Sequence, residues 1–174
     1  MADWTLRPAR VDDAEFLYRA YASTRLEELA VTGWSAAQTE TFLRMQFAAQ
    51  DRHYREHSPA ARFDVIRVDG IDAGRLYVDR SPGDIRVLDV ALLPHFQRRG
   101  VGRALLRTLL AEAGSARCRV SLHVERNNPA LGLYEALGFA PVEEVGVYRL
   151  MHWQVAVDAP SVGAARSRAD PVAA

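Results

Sequence analysis

The chain contains no lysine: all of its 22 basic residues are arginine, and 22 acidic residues balance them to a formal net charge of zero. Without lysine, the Gly-Lys-Ser/Thr phosphate loop of nucleotide hydrolases is excluded. A zero balance also argues against a dedicated nucleic-acid binder, which needs an excess of positive charge. There is one cysteine, Cys118, so neither an internal disulfide nor a cysteine-rich zinc site can form, and the residue reads as part of a strand core. No run approaches the ~20 apolar residues of a membrane span, and Met1-Ala2-Asp3-Trp4-Thr5 lacks the basic-then-apolar plan of a signal peptide. Internal repeats are missing as well. The expectation is a soluble, cytoplasmic chain with no membrane, nucleic-acid or metal partner.

What is present suits one domain with one core: 174 residues, 49% hydrophobic and 25% charged. Residues 1–155 read as that domain. Beyond Ala156 the composition turns to Ala, Pro, Ser, Val, Gly and Arg without periodicity, which predicts a disordered tail over 156–174. Trp4 to Ala9 reads as a strand ended or edged by Pro8. Asp12-Asp13 caps an amphipathic helix from Ala14 to about Leu29, and Ser35 caps a second to about Gln50. His53 to Ala61, with Pro59 and mixed charge, reads as loop. Two strands, 63–68 and 73–78, flank the hairpin signal Asp69-Gly70-Ile71-Asp72, and Ser81-Pro82-Gly83-Asp84 turns into a third, Ile85 to Pro94. A helix follows, ended by Gly114, then a strand over 119–124, a helix from Asn127 or Asn128 to Leu137, and two short strands bending near Gly146. The order is β-α-α-β-β-β-α-β-α-β-β, a mixed sheet with helices on its faces.

Between the third of those hairpin-region strands and its helix lies Gln97-Arg98-Arg99-Gly100-Val101-Gly102. Apolar residues at 101, 105, 106, 109 and 110 give the helix one buried face. A glycine-bearing basic turn at a helix N-terminus makes an anion site, because the first-turn N–H groups and the dipole both favour negative charge there. The dinucleotide fingerprint is excluded, since the position of its third glycine holds Leu105. What remains is Gln/Arg-x-x-Gly-x-Gly/Ala, and a phosphorylated ligand is expected on it.

A second segment, Asn127-Asn128-Pro129-Ala130-Leu131-Gly132-Leu133-Tyr134-Glu135-Ala136-Leu137-Gly138-Phe139, matches Asn-x-x-Ala-x-x-Leu-Tyr-x-x-x-Gly-Phe at every fixed position. The two segments, in this order and one helix-strand unit apart, resemble the acetyl-CoA pyrophosphate loop and the downstream helix of the GNAT superfamily of N-acetyltransferases. The resemblance covers roughly residues 4 to 155. It implies an α/β (α+β) fold with a mixed, mostly antiparallel sheet, in which parallel strands 4 and 5 splay apart and helices lie on both faces. It implies acetyl-CoA as acyl donor, its pantetheine arm paired with Val90, Ala91 and Leu92. By the same resemblance Gln97, Arg98, Arg99, Gly100, Val101, Gly102 and Arg103 hold the pyrophosphate, and either Asn127 or Asn128 is the motif asparagine.

For chemistry the resemblance points to Tyr134, a phenol with an ordinary pKa near 10 that would protonate the departing thiolate. The base is open between His123, Asp89, Glu125 and solvent. Acceptor recognition would fall to the region from Tyr21 to Tyr54, where Glu27, Glu28, Trp34, Gln46 and Tyr54 offer acidic and aromatic groups suited to a cationic amine. The reading is therefore acetyl transfer to a primary amine of a small molecule, ahead of a peptide or protein amine. The alternative is a non-catalytic acyl-CoA-binding module, and a homodimer is open.

Overall fold

A computed structural model describes residues 3–155; the expected tail lies outside the described residues. Seven strands form one sheet: β1 (Trp4–Pro8), β2 (Arg62–Val68), β3 (Ile71–Ser81), β4 (Asp84–Leu92), β5 (Arg119–Glu125), β6 (Ala140–Val145) and β7 (Tyr148–Trp153). Their order is β1-β2-β3-β4-β5-β7-β6, antiparallel except at the β4–β5 step. The helices are α1 (Ala14–Ser23), α2 (Leu26–Leu29), α3 (Ala36–His57), α4 (Val101–Ala116) and α5 (Leu131–Ala136). Among the described residues no helix is long and apolar enough to cross a membrane.

Alternating residues of β3 divide the interior. Leu76 and Val78 face the main core, where Ile66, Val68, Ile85, Val87, Val120 and Leu122 pack against Leu105, Leu106 and Leu109 of α4. Arg75 and Tyr77 face the other way, toward a smaller cluster of Tyr18, Tyr21, Ala22 and Leu43 on α1 and α3.

The structure departs from the sequence-based boundaries for local reasons. The first helix stops at Ser23, not near Leu29, because Ser23 Oγ and Thr24 Oγ1 donate back to the carbonyls of Ala20 and Tyr21 at 2.9 and 2.7 Å. Ser35 does cap α3, with its hydroxyl accepting from Gln38 N and the Gln38 side chain accepting from Ser35 N. That helix runs to His57 rather than Gln50, through a polar segment expected as loop. The segment contains no breaker before Pro59, and an Asp51–Arg55 pair at 2.8 Å supports its exposed side. Likewise α4 passes through Gly114 and ends where Arg117 turns left-handed at φ +52°, with Cys118 N donating to Ala113 O. The β2–β3 turn contracts to Asp69-Gly70, both at positive φ, so Ile71 and Asp72 join the strand.

One irregularity shapes everything that follows. Between Tyr77 and Val78 the β3–β4 register shifts, so that Leu88 and Asp89 together oppose Tyr77. This bulge bends β4 and reverses the phase of its alternation: Val87 faces the main core, whereas Asp89 faces α1 and α3. The β4–β5 pairing ends at the same place. It covers only Asp84–Val87 against Arg119–Leu122, and beyond it the two parallel strands separate.

Candidate active site

The wedge between the separated strands has one wall made of backbone. Leu93 N donates to Ala73 O at 2.9 Å, so the period-two alternation turns the N–H groups of Ala91 and Asp89 toward β3. Those of Val90 and Leu92 face the open side. Close approach of β3 supports this edge: a Cβ on Gly74 would lie 2.1 Å from Ala91 O, so only glycine fits. The Gln97 side chain donates to Leu92 O at 2.8 Å and ties the following loop to the strand end.

That loop makes two left-handed turns, at Arg98 (φ +59°) and Gly100 (φ +83°), before entering α4. The N–H groups of residues 98–103 find no acceptor among the described residues, whereas Gln97 N and Ala104 N donate to Pro94 O and Gly100 O. Six consecutive donors thus lie at the positive end of a 16-residue helix, an arrangement that favours negative charge. Arg98, Arg99 and Arg103 are exposed around it; Arg99 is drawn to Asp69 at 3.4 Å. Leu133 of α5 packs 3.9 Å from where a Gly102 Cβ would stand.

Tyr134 of α5 is buried against Phe139, with ring centroids 5.8 Å apart. Its hydroxyl has no hydrogen-bond partner among the described residues and is not sealed from solvent. Burial, and secondly the Asp89 charge, push this phenol up to about 12, so it holds its proton at neutral pH. The adjoining asparagines divide their duties. Asn128 Oδ1 accepts from Ala130 N at 2.8 Å and caps the turn into α5, while the exposed Asn127 side chain makes no hydrogen bond within the described residues. The Asn128 turn also delays α5 to Leu131.

The opposite wall is made of side chains. Asp89 Oδ2 accepts from Arg75 Nη2 at 2.6 Å, and Arg75, only 2% exposed, also donates to Gln50 Oε1 at 2.9 Å. The guanidinium lies over the rings of Tyr21, Phe47 and Tyr77 at 5.1–5.7 Å. Tyr54 donates to Leu88 O, the bulge carbonyl, at 3.0 Å. Glu125 is tied to Arg25 at 2.7 Å, and Arg25 reaches Glu28 at 3.3 Å. His123 shares this face; burial first, then the charge of Arg86, pull its pKa down. Arg86 Nη2 stands 3.4 Å from His123 Nδ1, and since arginine only donates, this contact leaves the ring proton on Nε2.

Not all of the sequence-derived candidates meet here. Tyr54 and Tyr134 lie within electrostatic reach of Asp89 where the strands part, Glu125 joins that face through Arg25, and His123 lies beside Arg86, Glu143 and His152. Glu27 and Gln46 are exposed, Glu28 takes part only through Arg25, and Trp34 packs on Phe42 with centroids 5.1 Å apart. Trp34 instead helps line a groove of about 360 Å³ between α2 and α3, away from the wedge. Arg75 escaped the sequence reading. Its signal was a charge within the strand pattern Ala73-Gly74-Arg75-Leu76-Tyr77-Val78, where burial requires a partner.

A mixed sheet opened between two parallel strands, with a free helix N-terminus at its mouth, is the architecture of the N-acyltransferase fold class. The profile of the Acetyltransferase (GNAT) family matches residues 24–139, and the chain belongs to that family. It is 30% identical over 122 residues to the mycothiol acetyltransferase of Thermobifida fusca, a match covering 68% of this chain and 35% of that one. It is 33% identical over 97 residues to a proposed ribosomal protein bS18-alanine N-acetyltransferase of Bacillus subtilis, covering 53% of this chain and 64% of the relative. The chain thus spans less than two thirds of either relative. Among solved structures it resembles a PaiA N-acetyltransferase from Thermoplasma acidophilum in complex with coenzyme A, with TM-score 0.66, 18% identity, and 87% and 99% of the two chains covered. The ribosomal-protein-S18-alanine N-acetyltransferase of Escherichia coli gives TM-score 0.59 and 19% identity over 92% and 99%. These structural likenesses establish the fold.

Proposed function

We propose that the protein transfers an acetyl group from acetyl-CoA to a primary amine by direct attack within a ternary complex. The observation that carries this reading is the run of six N–H groups at 98–103 without an acceptor among the described residues, reached directly from a strand whose outward N–H groups at Val90 and Leu92 are unpaired among them. These groups fit coenzyme A: the loop N–H groups would hold the pyrophosphate, with Arg98, Arg99 and Arg103 as charged partners, and the Val90–Leu92 edge would pair with the pantetheine arm. Acetyl-CoA supplies an acetyl group activated as a thioester. The N–H of Leu92 polarises a carbonyl set against that edge.

Tyr134 holds a proton on a hydroxyl that no group among the described residues engages, which suits delivery to a leaving sulfur. Asp89 and Glu125 sit in ion pairs, so His123 is the candidate base outside one; taking a proton at Nδ1 requires it to release Arg86. The acceptor wall is Tyr54, Asp89, Glu125 and their neighbours, and its acidic and aromatic groups suit a small-molecule amine ahead of a protein amine.

The test is thiol release from acetyl-CoA across small amines and peptides, alongside calorimetric binding of coenzyme A. Thiol release with an acetylated amine product supports the reading. Coenzyme binding without release from any acceptor favours the non-catalytic acyl-CoA-binding module instead.

A further inference from the structure

Asp89 combines two properties seldom found in one carboxylate. Its Oδ2 is fixed by a guanidinium that is itself buried and held by Gln50 and three rings, so the carboxylate cannot swing. Its Oδ1 takes no hydrogen bond among the described residues and is not sealed from solvent. The side chain as a whole is 14% exposed. It stands at the bulge, where the β4–β5 pairing ends and the strands part, on the face covered by α1 and α3.

The surroundings are aromatic. Tyr54 is anchored on the neighbouring Leu88 carbonyl and sets its ring 6.0 Å from that of Tyr77, the register partner of Asp89. Tyr134, packed on Phe139 in the main core, lies within electrostatic reach of Asp89. Burial, followed by the Asp89 charge, raises both the Tyr54 and Tyr134 phenols, as expected for hydroxyls within electrostatic reach of one carboxylate. A fixed carboxylate oxygen among tyrosine rings is a site for an N–H donor carried on an aromatic or apolar stem.

We propose that Asp89 Oδ1 is the acceptor-binding group of this protein, receiving a hydrogen bond from the amine nitrogen of an arylalkyl primary amine, and that Arg75 is the positioning residue that aims it. The inference rests on the transferase reading for the identity of the wedge but not for its own test. Asp89 so placed is a binding group: Arg75 fixes its orientation through the 2.6 Å contact, and its task is to hold the nitrogen in reach. The Leu88 bulge is what makes this arrangement available, since an unbroken strand would turn Asp89 into the α4 core.

The test measures binding rather than turnover. Calorimetry compares phenethylamine with 2-phenylethanol, and tyramine with its matching alcohol, on the wild-type chain with and without coenzyme A. Each amine is expected to bind at least tenfold more tightly than its alcohol, and Asp89→Asn is expected to abolish the difference. Should Asp89→Asn fail to fold, the Arg75→Met/Asp89→Asn pair removes both charges together and gives the same readout. Arg75→Met alone should weaken amine binding about tenfold or more with the Kd for coenzyme A within twofold, and Arg75→Lys should recover part of the loss. Equal binding of amine and alcohol by wild type, no binding of either, or an amine preference that survives loss of Asp89, overturns the proposal. A merely structural Arg75–Asp89 pair would lower thermal stability and leave the amine preference intact, which also overturns it. Thiol release is scored separately: selective amine binding without release defeats the transferase reading and leaves this one standing.

Discussion

The two walls of the wedge are built from different material. On the loop side, backbone does the work: the Val90 and Leu92 edge, two left-handed turns, and six N–H groups converging at the start of α4. On the helix side, side chains from α1, α3, β3, β4 and β5 converge, with Arg75 and Asp89 at the centre. A backbone wall tolerates most side-chain changes but not changes in φ. A side-chain wall tolerates neither the loss of a partner nor a shift in strand phase. The difference suits one constant ligand on the loop side and a selected one on the other.

The largest expected effect falls where the walls meet. Tyr134→Phe should lower kcat by roughly 10²- to 10⁴-fold, the usual worth of a general acid, with coenzyme affinity unchanged. Unaltered turnover would take the proton-donor role from Tyr134. His123→Ala belongs to the same scale. Because the pKa of His123 is pulled below its ordinary 6.5, and a base acts unprotonated, wild-type activity should rise with pH through a midpoint below 6.5 and then level off. The variant should lose this acidic limb; a matching limb in the variant would return the base role to solvent.

Removing a partner should separate the walls in stability. Arg75→Met leaves Asp89 largely buried without its ion-pair partner, a change that typically costs about 3–5 kcal/mol. The Arg75→Met/Asp89→Asn pair should regain much of that, because no lone charge remains. Exposed Arg98→Ala on the loop wall should stay within about 0.5 kcal/mol. Chemical denaturation of the three variants measures this, and similar losses at Arg75 and Arg98 would erase the distinction between the walls.

Backbone strain gives the converse comparison. Gly100 and Gly83 both have φ near +80°, and an added Cβ would meet nothing within 4 Å at either. Alanine at either position should therefore cost a similar about 1–2 kcal/mol from the left-handed conformation alone. Only the Gly100→Ala chain should also weaken coenzyme A binding, by tenfold or more in a calorimetric titration. Equal affinities in the two variants would mean that the loop is not the anion site.

The same contrast explains how much could be read before the fold was known. The loop wall is local: Gln97 to Arg103 specify their own turns and helix start within seven residues, so the glycine-bearing turn and the strand-helix setting were legible. Asn-Pro-Ala-Leu-Gly-Leu-Tyr likewise carries α5 and its tyrosine in one segment. The helix wall is not local. Gln50 meets Arg75, and Arg25 meets Glu125, across 25 and 100 residues of chain, through contacts that no spacing rule contains. Asp89 was visible as a carboxylate on a strand, but the Leu88 bulge that turns it toward α1 and α3 leaves no mark in an alternating pattern. Polar residues 51–57 misled for a related reason: a helix end anchored by Tyr54 on Leu88 O draws its stability from tertiary contact rather than from an apolar stripe.

The smallest effect concerns the neighbouring asparagines, which offered no way to choose between them in sequence. Asn128 Oδ1 caps the approach to α5 by accepting from Ala130 N, so Asn128→Ala should cost about 1 kcal/mol, the typical worth of such a cap. Asn127, exposed and without a hydrogen bond among the described residues, should leave stability unchanged when replaced by alanine. If Asn127 instead belongs to the loop wall as a ligand contact, its replacement should weaken coenzyme A binding with no change in melting temperature. Thermal melts with and without coenzyme A separate the two roles. A destabilised Asn127→Ala beside an unaffected Asn128→Ala would exchange them, and would move the cap one residue along the chain.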